Sequence, residues 1–328
     1  MPSPGTPGAG RRRFVLVAGM PRSGTTGVGS ALAHAPGAAS LYEPLNPESG
    51  LRSVGEYFVL PPTGPLTQDP QLSGVLAQVL RVSVRTRTGV WPQDSRLRRA
   101  VKQVTGSTSR ASAVRIRLDP RVRTVVWKDP FASLLVPTVA RELGIPAVVT
   151  VRPPEASAAS FKRLGWDFDV ERVVRGLEQV HPGAAYLQGM VEQVRRRRDP
   201  VSVGAQLWRV VYGHLAHSLA GPGLPEGAAE VAWVNPRTLL ADPVGTYVDL
   251  YRRLGLEMTD GARAAIEHDY RDEGSGTPAG GVTHDARRNV QQANSYWASV
   301  LDPDEVALVR SLTDGVREDV ETRVGRLA

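Results

Sequence analysis

Phe14-Val15-Leu16-Val17-Ala18 runs directly into Gly19-Met20-Pro21-Arg22-Ser23-Gly24-Thr25-Thr26, and this junction organises the reading of the whole 328-residue chain. Five apolar residues without polar alternation suit a strand buried on both faces. The glycine-bounded turn after it opens a helical stretch, Thr26 to Ala35. In a strand, turn and helix of that order, several backbone N–H groups converge on one anion, and the helix N-terminus adds partial positive charge. Pro21, Arg22, Ser23, Gly24, Thr25 and Thr26 are therefore read as a phosphate or sulfate cradle. The G-x-x-x-x-G spacing is that of a nucleoside-triphosphate loop, but Thr25 stands where that loop carries lysine. Arg22 supplies charge from inside the loop instead. A nucleotide-dependent kinase with an atypical loop, or a turn that holds no ligand, stays open at this point.

The same alternation recurs downstream. A short strand, Ala39 to Tyr42, is followed by a strand at Val122 to Trp127, a helix at Phe131 to Leu143, a strand at Ala147 to Val151 and a helix at Glu155 to Leu164. Gly144-Ile145-Pro146 punctuates helix and strand. The fold class that follows is α/β: a parallel β-sheet flanked by helices on both faces. Leu72 to Val84, Val170 to Arg198, Val203 to Leu219, Pro243 to Leu254 and Asp304 to Val316 read as further helices, and Glu230 to Val234 as one more strand. Ser107 to Ser112 is simply polar. The Pro/Gly/Ser-rich start predicts a disordered tail over residues 1–12, and 13–328 a single domain whose variable, helical and looped insertion spans 45–121.

Composition narrows the partners. Forty Lys+Arg against 33 Asp+Glu gives a net charge of +7, which favours an anionic partner over a cationic one. Lys102, Lys128 and Lys162 are the only lysines. With no cysteine, the chain has no disulfide, zinc–thiolate site or thiol nucleophile. The apolar run after Arg11-Arg12-Arg13 is far shorter than the roughly 20 residues a membrane helix needs. The expectation is a soluble, cytoplasmic protein without stable membrane insertion. The interleaved aromatic and basic residues of nucleic-acid motifs are absent, so no nucleic acid is expected, and a polyanion-binding module is the remaining non-enzymatic alternative.

Four segments in order carry a resemblance. Pro21-Arg22-Ser23-Gly24-Thr25-Thr26, Tyr42-Glu43-Pro44-Leu45, Lys128-Asp129-Pro130-Phe131 and Val151-Arg152-Pro153 running on to Ser160 resemble motifs of the sulfotransferases that use 3′-phosphoadenosine 5′-phosphosulfate (PAPS). The second segment is similar to carbohydrate 6-O-sulfotransferases and the third to tyrosylprotein sulfotransferases. Read from the residues alone, Arg152 ends a strand and Ser160 lies eight residues on, so guanidinium and hydroxyl can converge at the C-terminal edge of the sheet.

The resemblance implies the rest. Arg152 and Ser160 would hold the 3′-phosphate, and the loop the 5′-phosphosulfate. Glu43 would be the general base, with Lys128 and Arg22 contacting the transferring group and Asp129 positioning Lys128. Arg287 and Arg288, in a Gly-rich polar stretch, would close on the 3′-phosphate as basic residues do in some members. The donor is then PAPS, the product adenosine 3′,5′-bisphosphate (PAP), no metal is required, and the acceptor is a hydroxyl of a carbohydrate or glycosylated small molecule. Asn235-Pro236-Arg237 departs from the family pattern and leaves the adenine contact unassigned. His181 and His284 remain alternative bases, and His214 and His217, spaced i,i+3, read as helix surface or core.

Overall fold

The computed structural model describes residues 12–88, 106–220, 228–270 and 295–327. Residues 1–11, most of the expected tail, and Arg287, Arg288 and His284 lie outside the described residues.

Five strands, β1 (Arg13–Gly19), β2 (Ala38–Tyr42), β3 (Thr124–Lys128), β4 (Ala147–Thr150) and β5 (Val231–Val234), form one sheet in the order β2-β3-β1-β4-β5. All four pairings are parallel. Between the strands run the helices α1 (Thr25–Leu32), α2 (Pro70–Leu80), α3 (Thr108–Leu118), α4 (Val136–Glu142), α5 (Pro154–Leu164), α6 (Val170–Val180), α7 (Met190–Arg196) and α8 (Pro200–Ser218). After β5 come α9 (Pro236–Ala241), α10 (Pro243–Arg253), α11 (Asp260–Tyr270) and α12 (Pro303–Val324).

The central strand explains the unbroken apolar run. Phe14, Leu16 and Ala18 enter the core on one face of the sheet, and Val15 and Val17 enter the core on the other. Successive strand side chains point to opposite faces, so a strand covered on both sides has no position left for a polar residue. Helices cover both faces, as the sequence predicts. A third cluster, with Ala158, Ala159, Val201, Ala205 and Val309, packs α5, α8 and α12 together.

The helix expected at Phe131 to Leu143 begins as a 3-10 segment, the last helix runs on to Val324, and α9 and α11 are additions to the sequence reading. Two further stretches differ. The span 170–198 is broken into α6, α7 and a single turn at Ala185–Leu187, because Pro182-Gly183 ends the first helix and Gly183 and Gly189 take left-handed φ values. Ser107 to Ser112 opens a helix: the Ser107 side chain accepts from the Arg110 amide and caps α3. A run of small polar residues masks its apolar positions, Ala113 and Ile116, which are the ones that pack inward.

The register gathers the site. Tyr42 and Val17 each pair with Lys128, and Gly19 pairs with Thr150, so the loops after β1, β2, β3 and β4 leave the sheet at one edge. From β1 the chain crosses to one side to form β2 and β3, and then returns past β1 to β4. That crossing leaves the C-terminal edge open for a ligand.

Candidate active site

The loop after β1 is pinned from behind. The Met20 amide donates to the Tyr212 hydroxyl at 3.2 Å, that hydroxyl donates to the Thr150 carbonyl at 2.8 Å, and the Ser23 and Thr150 hydroxyls bond at 2.7 Å. Arg22 and Gly24 take left-handed φ values of 73° and 97°. Glycine meets that demand at Gly24 without steric cost, whereas an arginine there stores strain held by its surroundings. α1 starts with no side-chain cap and no acidic residue in its first turn. Its first amides therefore have no intrahelical partner. An ideal Cβ on Gly24 would meet nothing within 4 Å.

Arg22, Arg152 and Ser160 converge, as the spacing predicts. Arg152 donates to the Arg22 carbonyl at 3.0 Å, and Arg22 Nε donates to Ser160 Oγ at 3.3 Å. Arg152 is 5% exposed and its own carbonyl accepts from the Trp208 indole at 2.8 Å, which fixes the backbone where the guanidinium emerges. Its guanidinium also lies 5.7 Å from the Tyr296 ring centroid. On the neighbouring residues, Glu155 Oε1 accepts from Arg310 and Arg317 of α12 at 3.2 and 3.0 Å, which ties the start of α5 to the C-terminal helix.

On the other side of β1, Lys128 Nζ stands 2.5 Å from Glu43 Oε1. The lysine is 2% exposed and Glu43 8%. Burial lowers the lysine's proton affinity and the adjacent Glu43 charge raises it again. Nζ also sits 3.8 Å from the centroid of the Tyr42 ring, a cation–π contact. The phenol is held neutral by burial first and by Glu43 next, and it is hydrogen-bonded to Thr26 and Glu43. The Asn46 amide donates to Glu43 Oε2 at 2.9 Å, so both carboxylate oxygens have partners. Glu43 itself is at φ 42°, and its carbonyl accepts from Ser109 of α3 at 3.2 Å.

Asp129 does not hold the lysine by a hydrogen bond. Its oxygens accept from the Leu45 and Phe131 amides at 2.6 and 3.0 Å, and from the Trp127 indole at 3.4 Å. Burial, with the Glu43 charge adding to it, pushes Asp129 up to about 7. It acts on Lys128 through charge, and on Glu43 by tying the following Leu45 to the end of β3.

The histidines gather elsewhere. His181 and His214 bond at 3.2 Å, and His214 also contacts the Leu134 carbonyl at 2.9 Å. Burial pulls His214 down to about 3, so it is a neutral core side chain. Tyr42, Asn46, Thr150, Ser109 and Tyr212 are site or support residues that the sequence reading passes over. Tyr42 and Thr150 carry a signal in retrospect, because each is the last residue of a strand at the ligand edge.

The fold and this edge define an α/β protein with a strand–loop–helix turn at the open edge of its sheet and a buried carboxylate–lysine pair beside it. No family model and no curated protein matches the chain. Solved structures do. The sulfotransferase domain from the curacin biosynthetic pathway is 14% identical at a TM-score of 0.41, over 92% of this chain and 96% of that one. Mouse sulfotransferase SULT7A1 complexed with PAP is 12% identical at a TM-score of 0.44, over 95% and 89%. Sulfotransferase STF1 from Mycobacterium tuberculosis is 18% identical at a TM-score of 0.36, over 88% and 77%. No helix among the described residues is long and apolar enough to cross a membrane.

Proposed function

We propose that this protein transfers a sulfuryl group from PAPS to a hydroxyl of a carbohydrate or glycosylated small molecule, releasing PAP. The observation that carries the reading is the Glu43–Lys128 pair at 2.5 Å, one strand away from an uncapped helix start whose preceding loop Arg152 holds at the Arg22 carbonyl. The residues fit the donor: the first amides of α1 suit one anionic end, and Arg152 with Ser160, separated from Glu43 by the two strands β3 and β1, suits the second phosphate. When bound, the donor supplies an activated sulfuryl group on a phosphate leaving group.

The chain's own residues account for the proton and the charge. Glu43 accepts the acceptor's hydroxyl proton, and its two partners, Lys128 and Asn46, hold the carboxylate in one orientation. Lys128 and Arg22 oppose the negative charge that grows on the bridging oxygen, and the loop amides do the same from preset positions. Burial of Lys128 strengthens that opposition, because the low local dielectric screens it weakly. The cytoplasm is the proposed compartment.

The test is a transfer assay with PAPS and a set of hydroxyl-bearing glycosides, followed by mass spectrometry. A mass gain of one SO3 group, without added magnesium and absent in Glu43→Gln, is expected. Transfer from ATP instead would establish the kinase reading and overturn this one.

A further inference from the structure

A groove of about 540 Å3 lies beside the start of α3, lined by Arg52, Ser53, Gln78, Arg85, Thr86 and Arg110. Three arginines line one space, and none of them has a carboxylate partner among the described residues. Thr86 is 4% exposed, and its hydroxyl has no hydrogen-bond partner among the described residues. A buried hydroxyl without a partner is costly, and three like charges around one groove raise the free energy of its empty state. A bound anion relieves both, and arginine forks match carboxylate, phosphate and sulfate oxygens.

The groove is built rather than incidental. Arg52 Nε donates to the Thr86 carbonyl at 3.2 Å, the Arg52 amide donates to the Arg85 carbonyl at 3.1 Å, and Leu51 bridges Thr86 in antiparallel fashion. The Arg110 stem lies against Gly106, where a Cβ would come within 2.4 Å of it. Both walls are tied to the candidate base. The Leu51 amide donates to the carbonyl of Pro44, the residue after Glu43, at 2.7 Å. Ser109, the neighbour of Arg110, donates to the Glu43 carbonyl.

We infer that this groove is an anion subsite for the acceptor: the molecule that offers its hydroxyl to Glu43 also carries a carboxylate, phosphate or sulfate, held by Arg52, Arg85 and Arg110 with the Thr86 hydroxyl donating. This rests on the sulfuryl-transfer reading and narrows its acceptor to anionic hydroxyl compounds.

The test is calorimetry on PAP-saturated protein titrated with inorganic pyrophosphate at constant ionic strength. One further site is expected in wild type, weakened at least tenfold in R52Q/R110Q with PAP affinity unchanged. Arg85→Gln, a single change at an exposed position, gives the same direction should the double variant fold poorly. No second site, or equal affinity in wild type and Arg85→Gln, overturns the proposal. In a second arm, 4-nitrophenyl β-glucuronide displaces pyrophosphate and the neutral glucoside does not. Failure of the glucuronide to displace it assigns the groove to a free anion and overturns its acceptor role. Wild-type protein that fails to bind PAP overturns the transferase reading instead, an outcome separate from any pyrophosphate signal at the groove.

Discussion

Lys128 is nearly sealed from solvent, yet its ammonium has one carboxylate, Glu43, at 2.5 Å, and the Tyr42 ring 3.8 Å beneath it. A buried ion pair of this kind is weak evidence for stability, because desolvation offsets most of the Coulombic gain. Its place at the ligand edge of the sheet fits the proposed chemistry, which needs a carboxylate and an ammonium side by side. Removing either partner leaves the other as an uncompensated buried charge.

Glu43→Gln therefore separates binding from chemistry. We expect kcat to fall about 10²- to 10⁴-fold, the range for loss of a general base. PAP affinity measured near neutral pH should change little. Burial already lowers the Lys128 proton affinity, and the substitution removes the Glu43 charge that partly offsets it. PAP binding in Glu43→Gln should weaken at a lower pH on the alkaline side than in wild type. Superimposable alkaline limbs would show that Lys128 does not depend on Glu43.

Gly29 tests how finely the lysine is held. A Cβ at this α1 position would lie 3.0 and 3.1 Å from Lys128 Cγ and Cβ. Gly29→Ala should push the lysine stem outward by a few tenths of an ångström and lower kcat by about tenfold, since small displacements of catalytic groups are expensive. A helix-interior alanine is otherwise favourable. The melting temperature should therefore move little, and a large fall would mean that packing rather than alignment is at issue.

Gly24→Ala probes the cradle itself. At φ 97° an alanine costs about 1 to 3 kcal/mol of backbone strain, although its Cβ meets no protein atom. The same Cβ projects at the mouth of the loop, so PAP affinity should fall by more than the loss of stability measured by urea unfolding accounts for. Loss of stability with intact PAP affinity would separate the loop from the donor.

Asp129→Asn reports on pH-dependent stability. The folded carboxyl is raised to about 7 by burial, and then by the Glu43 charge, above the unfolded value of about 3.9. A raised carboxyl means that the folded state binds more protons between those values. The group's contribution is then full below about pH 4 and lost as pH rises through about 7. Urea unfolding should show the variant more destabilised relative to wild type at pH 4.5 than at pH 7.5. The opposite order would mean that Asp129 is ionised and stabilising in the fold.

The central strand, the loop and the strand ends were legible because each depends on local chemistry. An unbroken apolar pentapeptide demands burial on both faces, and Gly24 sits where φ must be positive. The convergence of Arg152 with Ser160 followed from a strand end and two helical turns. What local sequence does not carry is contact across the sheet. Nothing near Glu43 announces that Lys128, 85 residues away, will face it, and only the β2–β3 register brings them together. Asp129 likewise finds its hydrogen-bond partners in the Leu45 and Phe131 amides and meets its neighbour Lys128 through charge alone. The α3 cap at Ser107 was hidden by a polar run, and with it the Arg110 wall of the groove.

The most direct measurement is calorimetric titration of PAP into wild type and Arg152→Ala, with ATP as a comparison. Charge-assisted hydrogen bonds to a phosphate are each worth about 1.5 to 3 kcal/mol, so Arg152→Ala should weaken PAP binding roughly 10- to 100-fold. Wild type should bind PAP much more tightly than ATP, without magnesium. Equal PAP affinity in the two proteins, or no PAP binding in wild type, would contradict the assignment of this sheet edge to the sulfuryl donor.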